Sequence, residues 1–340
     1  MAKKRIAILF GGASKDHSVS LKSAFSVLNG LNKTVYDIIP VGITKAGRWL
    51  YFPGDYSAIL DGSWESDPDC CSAVLSPDPL HGGLIKIMDD GSYSHQRIDA
   101  VFPLIHGKYG ECGQIQALCK LSEIAYVGSG FEASNACSDK MLTHLILNKV
   151  GIKTAKYYYF ERVEIDELEE RFEDIERAVN YPMYVKAAVS SRSVGVKVAD
   201  NREELKSAVK LAFSHHHKVL IEEEVAGREF ECIVYGSVYS LNVSKIGEAT
   251  EDYAFVIPAK IDEDTRLEIE ESAKAAFLSL GCTTFARVSF TLTAKNELYC
   301  CKVSNIPGFT ENDIMANLMS ASGYEYSDML DMLIDSAKEA

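Results

Sequence analysis

Apolar positions recur along the chain in two alternating rhythms, one of period two and one near 3.6, and they predict strands and helices in turn. Arg5 to Phe10 is an apolar run that reads as a strand. Gly11-Gly12-Ala13-Ser14 turns it into a helix starting near Val19. A strand, a glycine turn and a helix open a doubly wound sheet. Tyr36 to Ile43 predicts a second strand, and Ala100 to Ile105 another. Residues 53 to 97, rich in Pro, Gly, Asp and Ser, predict loops and short edge strands. Helices are expected at Gln114 to Ser122 and Met141 to Val150, and strands at Tyr181 to Lys186 and Lys218 to Glu224. An amphipathic helix follows at Asp264 to Leu280, and another at Tyr326 to Ala337 with Met329, Leu330 and Leu333 facing a core.

Thr284 to Thr310 carries the most information. Phe285 to Leu292 alternates as a strand, Ala294-Lys295-Asn296 is a polar turn, and Glu297 to Ser304 is again strand-like, so the pair predicts a hairpin. Side chains two apart share a face. Arg287 and Ser289 therefore point one way on the first strand, and Lys302 and Ser304 point together on the second. The chain leaves through Asn305-Ile306-Pro307-Gly308-Phe309-Thr310, a rigid loop directly after a strand.

Composition narrows the class. The chain has 340 residues, 47% hydrophobic and 25% charged, enough for two or three domains with their own cores. A net charge of −14 with no basic cluster disfavours nucleic acid and anionic membrane surfaces as partners. Nine cysteines without a Cys-x-x-Cys pair predict reduced, mostly buried thiols and a cytoplasmic setting. No run approaches eighteen apolar residues, and the apolar stretch near the start is too short for a signal peptide. His215-His216-His217 suggests a metal triplet, but consecutive side chains diverge, so a polar surface loop is expected.

The stretches ARVSF and CKVSNIPGFT resemble the signature of D-alanine–D-alanine ligases and D-alanine–D-serine ligases, which are ATP-grasp enzymes. In that family the pattern runs roughly ARVDF…NEVNTIPGFT, and its Asp, Glu and Asn hold two magnesium ions against the ATP phosphates. Ser289, Lys302 and Ser304 occupy those positions here. The resemblance spans nearly the whole chain. FGGASKDHSVSLKSA is similar to the family's opening motif, which assigns Asp16 to the ammonium of the first D-alanine. HGKYGECG is similar to HGxxGEDG, which assigns His106 to the neighbourhood of the substrate carboxylate. Arg287 matches the arginine that stabilises the tetrahedral intermediate and the transferred phosphate.

The same resemblance assigns Lys140, in SNACSDK, and Lys186 to the ATP phosphates. KAAVSSRSVG stands where the family has a mobile phosphate loop, so Arg192 and Ser193 join the nucleotide-binding set. KVLIEEEVAGREFE is similar to the segment that holds adenine and ribose, which adds Glu222, Glu223 and Glu229. By residue type alone, solvated lysines and a solvated acidic strand end are the preferred reading of these stretches. The family's long closing loop is shorter here, with Tyr253 its nearest echo, and Asp313 replaces a serine that binds the second D-alanine.

Taken together, these features imply an α/β protein of three-domain ATP-grasp architecture with an N-terminal Rossmann-like domain. Residues 1–128, 129–222 and 223–340 are the expected domains, with nucleotide between the last two. The resemblance implies carbon–nitrogen bond formation for peptidoglycan precursors, with ATP or ADP as ligand and magnesium as the family metal. Mg²⁺ takes oxygen ligands, usually including one or two carboxylates. Ser289, Lys302 and Ser304 supply none, so the expectation is a ligase-family protein with lost or strongly impaired activity, kept for binding nucleotide or a partner. Homodimerisation, or pairing with an active ligase, is the association the family suggests. The alternatives are a working D-alanine–D-alanine or D-alanine–D-serine ligase with an altered metal site, and a ligase for another D-amino acid with Arg192 and Asp313 as specificity groups.

Overall fold

The computed structural model describes residues 2–107, 109–161, 167–189, 195–237, 239–252 and 254–337. Its first part comprises β1 (Lys4–Gly11), α1 (His17–Gly30), β2 (Tyr36–Ile43), β3 (Trp49–Tyr51), α2 (Ser57–Asp61), β4 (Cys71–Leu75), β5 (Gly83–Ile87), β6 (Tyr93–Arg97), β7 (Ala100–Pro103), α3 (Gln114–Leu121) and β8 (Ala125–Tyr126). These strands form one eight-stranded sheet in the order β6-β5-β4-β3-β2-β1-β7-β8. The apolar runs β1, β2 and β7 pair in parallel, buried on both faces, as continuous hydrophobic strands do. Residues 53 to 97 supply three short antiparallel strands, β6 at the sheet edge but β4 and β5 paired on both sides, and also a helical turn the composition did not suggest. The Asp55 carboxylate accepts from the Ser57 N–H to start α2, and Ile59 and Trp64 bury themselves against Phe10 and Phe52.

The second part contains α4 (Phe131–Ser138), α5 (Lys140–Lys149), β9 (Tyr157–Glu161), α6 (Leu168–Ala178), β10 (Met183–Ala187), β11 (Lys197–Ala199), α7 (Arg202–Phe213) and β12 (Lys218–Glu223). Its sheet is four-stranded and antiparallel, in the order β11-β10-β12-β9. Met183, Val185, Val219 and Ile221 meet α6 and α7 in a core confined to this lobe. The alternate residues Tyr184, Lys186, Leu220 and Glu222 point to the opposite face.

The third part runs through β13 (Arg228–Ser237), β14 (Ser240–Val243), β15 (Gly247–Ala249), β16 (Phe255–Val256), α8 (Glu263–Ser279), β17 (Thr284–Leu292), β18 (Leu298–Ser304), α9 (Ile314–Ala321) and α10 (Tyr326–Asp335). One face of its sheet packs on α8, and α4 and α5 contribute Ala133, Cys137 and Leu147 to that core. The rest of the third lobe is fused to the first. Ile233, Phe285, Phe309 and Leu318 lie in the same hydrophobic cluster as Ile6, Phe10, Val27 and Leu330. The first and third lobes thus share a core, while the second keeps its own.

Candidate active site

The three lobes converge on a cavity of about 450 Å³. Its walls come from the loop after β7, the start of α5, the outward faces of β10 and β12, and the β17–β18 hairpin.

The hairpin supplies the floor. Arg287 stands opposite Ser304 and Ser289 opposite Lys302, so all four side chains share a face, as their spacing predicted. The register slips by one residue after Ser289, and Cys301 is the extra residue of this bulge. The bulge exposes two consecutive residues, Cys301 and Lys302, at the cavity, where the buried Cys300 also lines its wall. Ser289 donates its hydroxyl to a Glu231 carboxylate oxygen at 3.1 Å, and the other Glu231 oxygen lies 3.5 Å from the Arg287 guanidinium.

The opposite wall is built around Glu222. This carboxylate is buried between the imidazole of His144, whose Nε2 lies 2.5 Å away, and the ammonium of Lys186. Burial alone would raise its pKa. The hydrogen bond from His144 and the adjacent Lys186 charge outweigh burial and hold it down at about 2. His144 is fixed in turn by Thr154, 2.6 Å from Nδ1, and by the Tyr157 ring. Lys140 sits at the first position of α5, whose N-terminus is capped by Asp139 accepting from the Met141 and Leu142 N–H groups. Burial, followed by the charges of Lys302 and Lys186, lowers the Lys140 pKa to about 8.

The loop after β7 closes the third side. Glu111 accepts from the Gly107 N–H at 3.0 Å. Its pKa lies below the ordinary value, because the His106 and Gly107 hydrogen bonds and the nearby Lys302 outweigh the effect of burial. Gly110 is required here: a Cβ on it would lie 1.6 Å from the Ile105 carbonyl oxygen. His106 is buried, 3.3 Å from the Ser23 hydroxyl, which also accepts from the Phe309 N–H of the Ile-Pro-Gly-Phe loop. Asp16, buried at the start of α1, faces Gly107 across the carboxyl ends of β1 and β7. That is the switch point of the first sheet, where strands flank β1 on either side.

Of the residues assigned from sequence, Lys140, Lys186, Glu222 and Lys302 line one cavity. Asp16 and His106 lie at its first-lobe rim, and Arg287, Ser289 and Ser304 on the hairpin face that continues it. Glu229 lies on the same face of the third sheet, near enough for its charge to act on Cys301. Glu223 is not brought in: it points the other way along β12, toward Lys156 at 3.5 Å and Asn180. Arg192, Ser193 and Tyr253 lie outside the described residues. Asp313 is engaged within its own loop, its carboxylate accepting from the Thr310 N–H at 2.7 Å. The three histidines form a loop in which the His216 and His217 rings meet at a tilt, and no group of three potential metal-binding side chains occurs among the described residues. Sequence reasoning passed over His144 and Glu111. Glu111 stands inside the HGKYGECG motif, whereas nothing local marks His144, whose partner is 78 residues away.

The sheets, their order and the inter-lobe cavity are those of a three-domain ATP-grasp protein. Family models for the N-terminus and the C-terminus of D-ala D-ala ligase match residues 5–129 and 146–335. A D-alanine–D-alanine ligase of a Thermoanaerobacter species is 37% identical over all of this chain and 98% of its own length. Among solved structures, the VanG D-Ala:D-Ser ligase of Enterococcus faecalis superposes with a TM-score of 0.89 at 34% identity, covering 98% of this chain and 99% of that one. The D-alanine–D-alanine ligase of Coxiella burnetii does so at 0.88 and 26%, covering 99% and 94%. The chain belongs to the D-alanine–D-alanine ligase family.

The family's magnesium does not fit the floor seen here. Two hydroxyls and an ammonium stand at the hairpin positions, and Glu231, Glu111 and Glu222 are each paired with other groups of the protein. A hard divalent cation prefers carboxylate oxygens and is repelled by a neighbouring ammonium.

Proposed function

We propose that this chain is a nucleotide-binding member of the D-alanine–D-alanine ligase family whose ligase activity is lost or strongly impaired. The observation that carries the reading is Lys302 opposite Ser289 on the cavity floor, with Lys140 and Lys186 lining the same cavity. Joining two amino acids requires a phosphorylated carboxylate, and the charge gathered in that step needs neutralising at fixed positions. Lysines can hold phosphate. They do not supply the Lewis-acid chemistry that the family's divalent metal would supply there. The nucleotide lies between the second and third lobes, with Lys140 and Lys186 toward its phosphates and Glu222 and Glu229 toward the base and ribose. The protein works in the cytoplasm, as a homodimer or beside an active ligase. No helix among the described residues is long and apolar enough to cross a membrane.

The test is magnesium-dependent ADP release from ATP with D-alanine, alone and with D-serine as acceptor. The expected rate is at least about 10²-fold below that of a relative with carboxylates on the hairpin, the scale of losing a main electrostatic stabiliser. Release at the relative's rate would instead establish a working ligase with an altered metal site.

A further inference from the structure

We propose that the cavity takes a nucleoside polyphosphate as its metal-free anion, with the Lys302 ammonium acting as counter-ion, so that magnesium opposes binding instead of assisting it. The proposal rests on the nucleotide-binding reading above and adds the form of the ligand.

Three ammonium groups reach one cavity from three separate elements: Lys140 from the head of α5, Lys186 from β10 and Lys302 from β18. Their charges act on one another, for Lys302 and Lys186 both weigh on Lys140, and Lys302 weighs on Glu111. Such an arrangement is costly by itself and is relieved by an anion of high charge. Glu222 offsets Lys186 through their ion pair and Glu111 stands near Lys302, and the cavity has room for several phosphate oxygens beside the three ammonium groups. Arg287 on the same hairpin face is offset by Glu231, 3.5 Å away, so the cations offered to an anion are the three lysines. Free ATP carries about two more negative charges than its magnesium complex. It therefore gains more from these lysines, while the complexed form must also bring a divalent cation beside an ammonium.

Calorimetric titration of the full chain with ATP, once in EDTA and once in excess magnesium, tests this. The expected result is binding about tenfold tighter in EDTA, the scale of one charge-assisted contact. Lys302→Glu should invert the order, and Lys302→Gln should abolish most of the difference. Lys302 is exposed on the strand, so neither change disturbs the core, and thermal melting checks that both variants fold. Equal or tighter binding in magnesium overturns the inference and leaves the nucleotide-binding reading standing. A Lys302→Gln variant that keeps the full EDTA preference overturns the part assigned to Lys302. No ATP binding under either condition overturns both readings together.

Discussion

Glu222 shows how much one side chain can fix. It is acidic, buried and flanked by His144 and Lys186, and its ionised form is stabilised by both. Its folded pKa of about 2 lies below the ordinary value. The stabilisation is therefore fully present above the unfolded pKa and is lost as pH falls toward 2. This contribution is on the order of 2–3 kcal/mol. Urea unfolding of Glu222→Gln followed from about pH 2 to 6 should show a flatter acid limb than the parent. The substitution should also cost about 3 kcal/mol near neutrality, because it strands the buried partners of a broken pair. Lys140 gives the opposite slope. Its pKa is depressed to about 8, so between there and its unfolded value the unfolded chain binds more protons and stability rises with pH. Lys140→Met should remove that alkaline rise in the same measurement.

At the scale of an element, the β17–β18 hairpin decides the chemistry. Restoring the family residues with Ser289→Asp, Lys302→Glu and Ser304→Asn would set two new carboxylates opposite each other, beside Glu231. Like charges directly opposite on a sheet are destabilising, so in EDTA this variant should lose about 1–2 kcal/mol against the parent. Magnesium should return that loss as a rise in melting temperature in the variant alone. The hairpin was legible from its sequence because alternation and the Ala294-Lys295-Asn296 turn leave one register that buries Ala286, Val288 and Val303. The bulge at Cys301 was not legible. The extra residue breaks the alternation at Cys301-Lys302 only, too short an interruption to read without the facing strand. The short helix Ser57–Asp61 escaped for a different reason, since a single turn gives no period to read, and its stability comes from burying Ile59 beneath a neighbouring tryptophan. The Glu222–His144 contact joins segments far apart in the chain, and no local pattern encodes it.

For the whole molecule, the division of its hydrophobic cores matters more than the number of its sheets. The first and third lobes bury a common cluster, whereas residues 158 to 221 close around a core of their own. Polar contacts hold this core to the head of α5, among them the buried pair of Lys218 with Asp139 at 2.7 Å. Asp139→Ala removes both that pair and the cap of α5, and should cost about 3 kcal/mol. In amide hydrogen exchange, the lost protection should concentrate in β10, β12 and the first turn of α5, with β1, β2 and β17 little changed.

The path of the backbone through that lobe has a practical corollary. The chain enters it at Lys156 and leaves it at Glu223, and these two residues are joined by a backbone hydrogen bond of 3.0 Å. The lobe is therefore a cassette spliced into its host at a single seam. Lifted out, with the seam sewn by a short linker, it would leave behind a two-lobed body that keeps its own interior and has lost the cavity wall carrying Lys186 and Glu222.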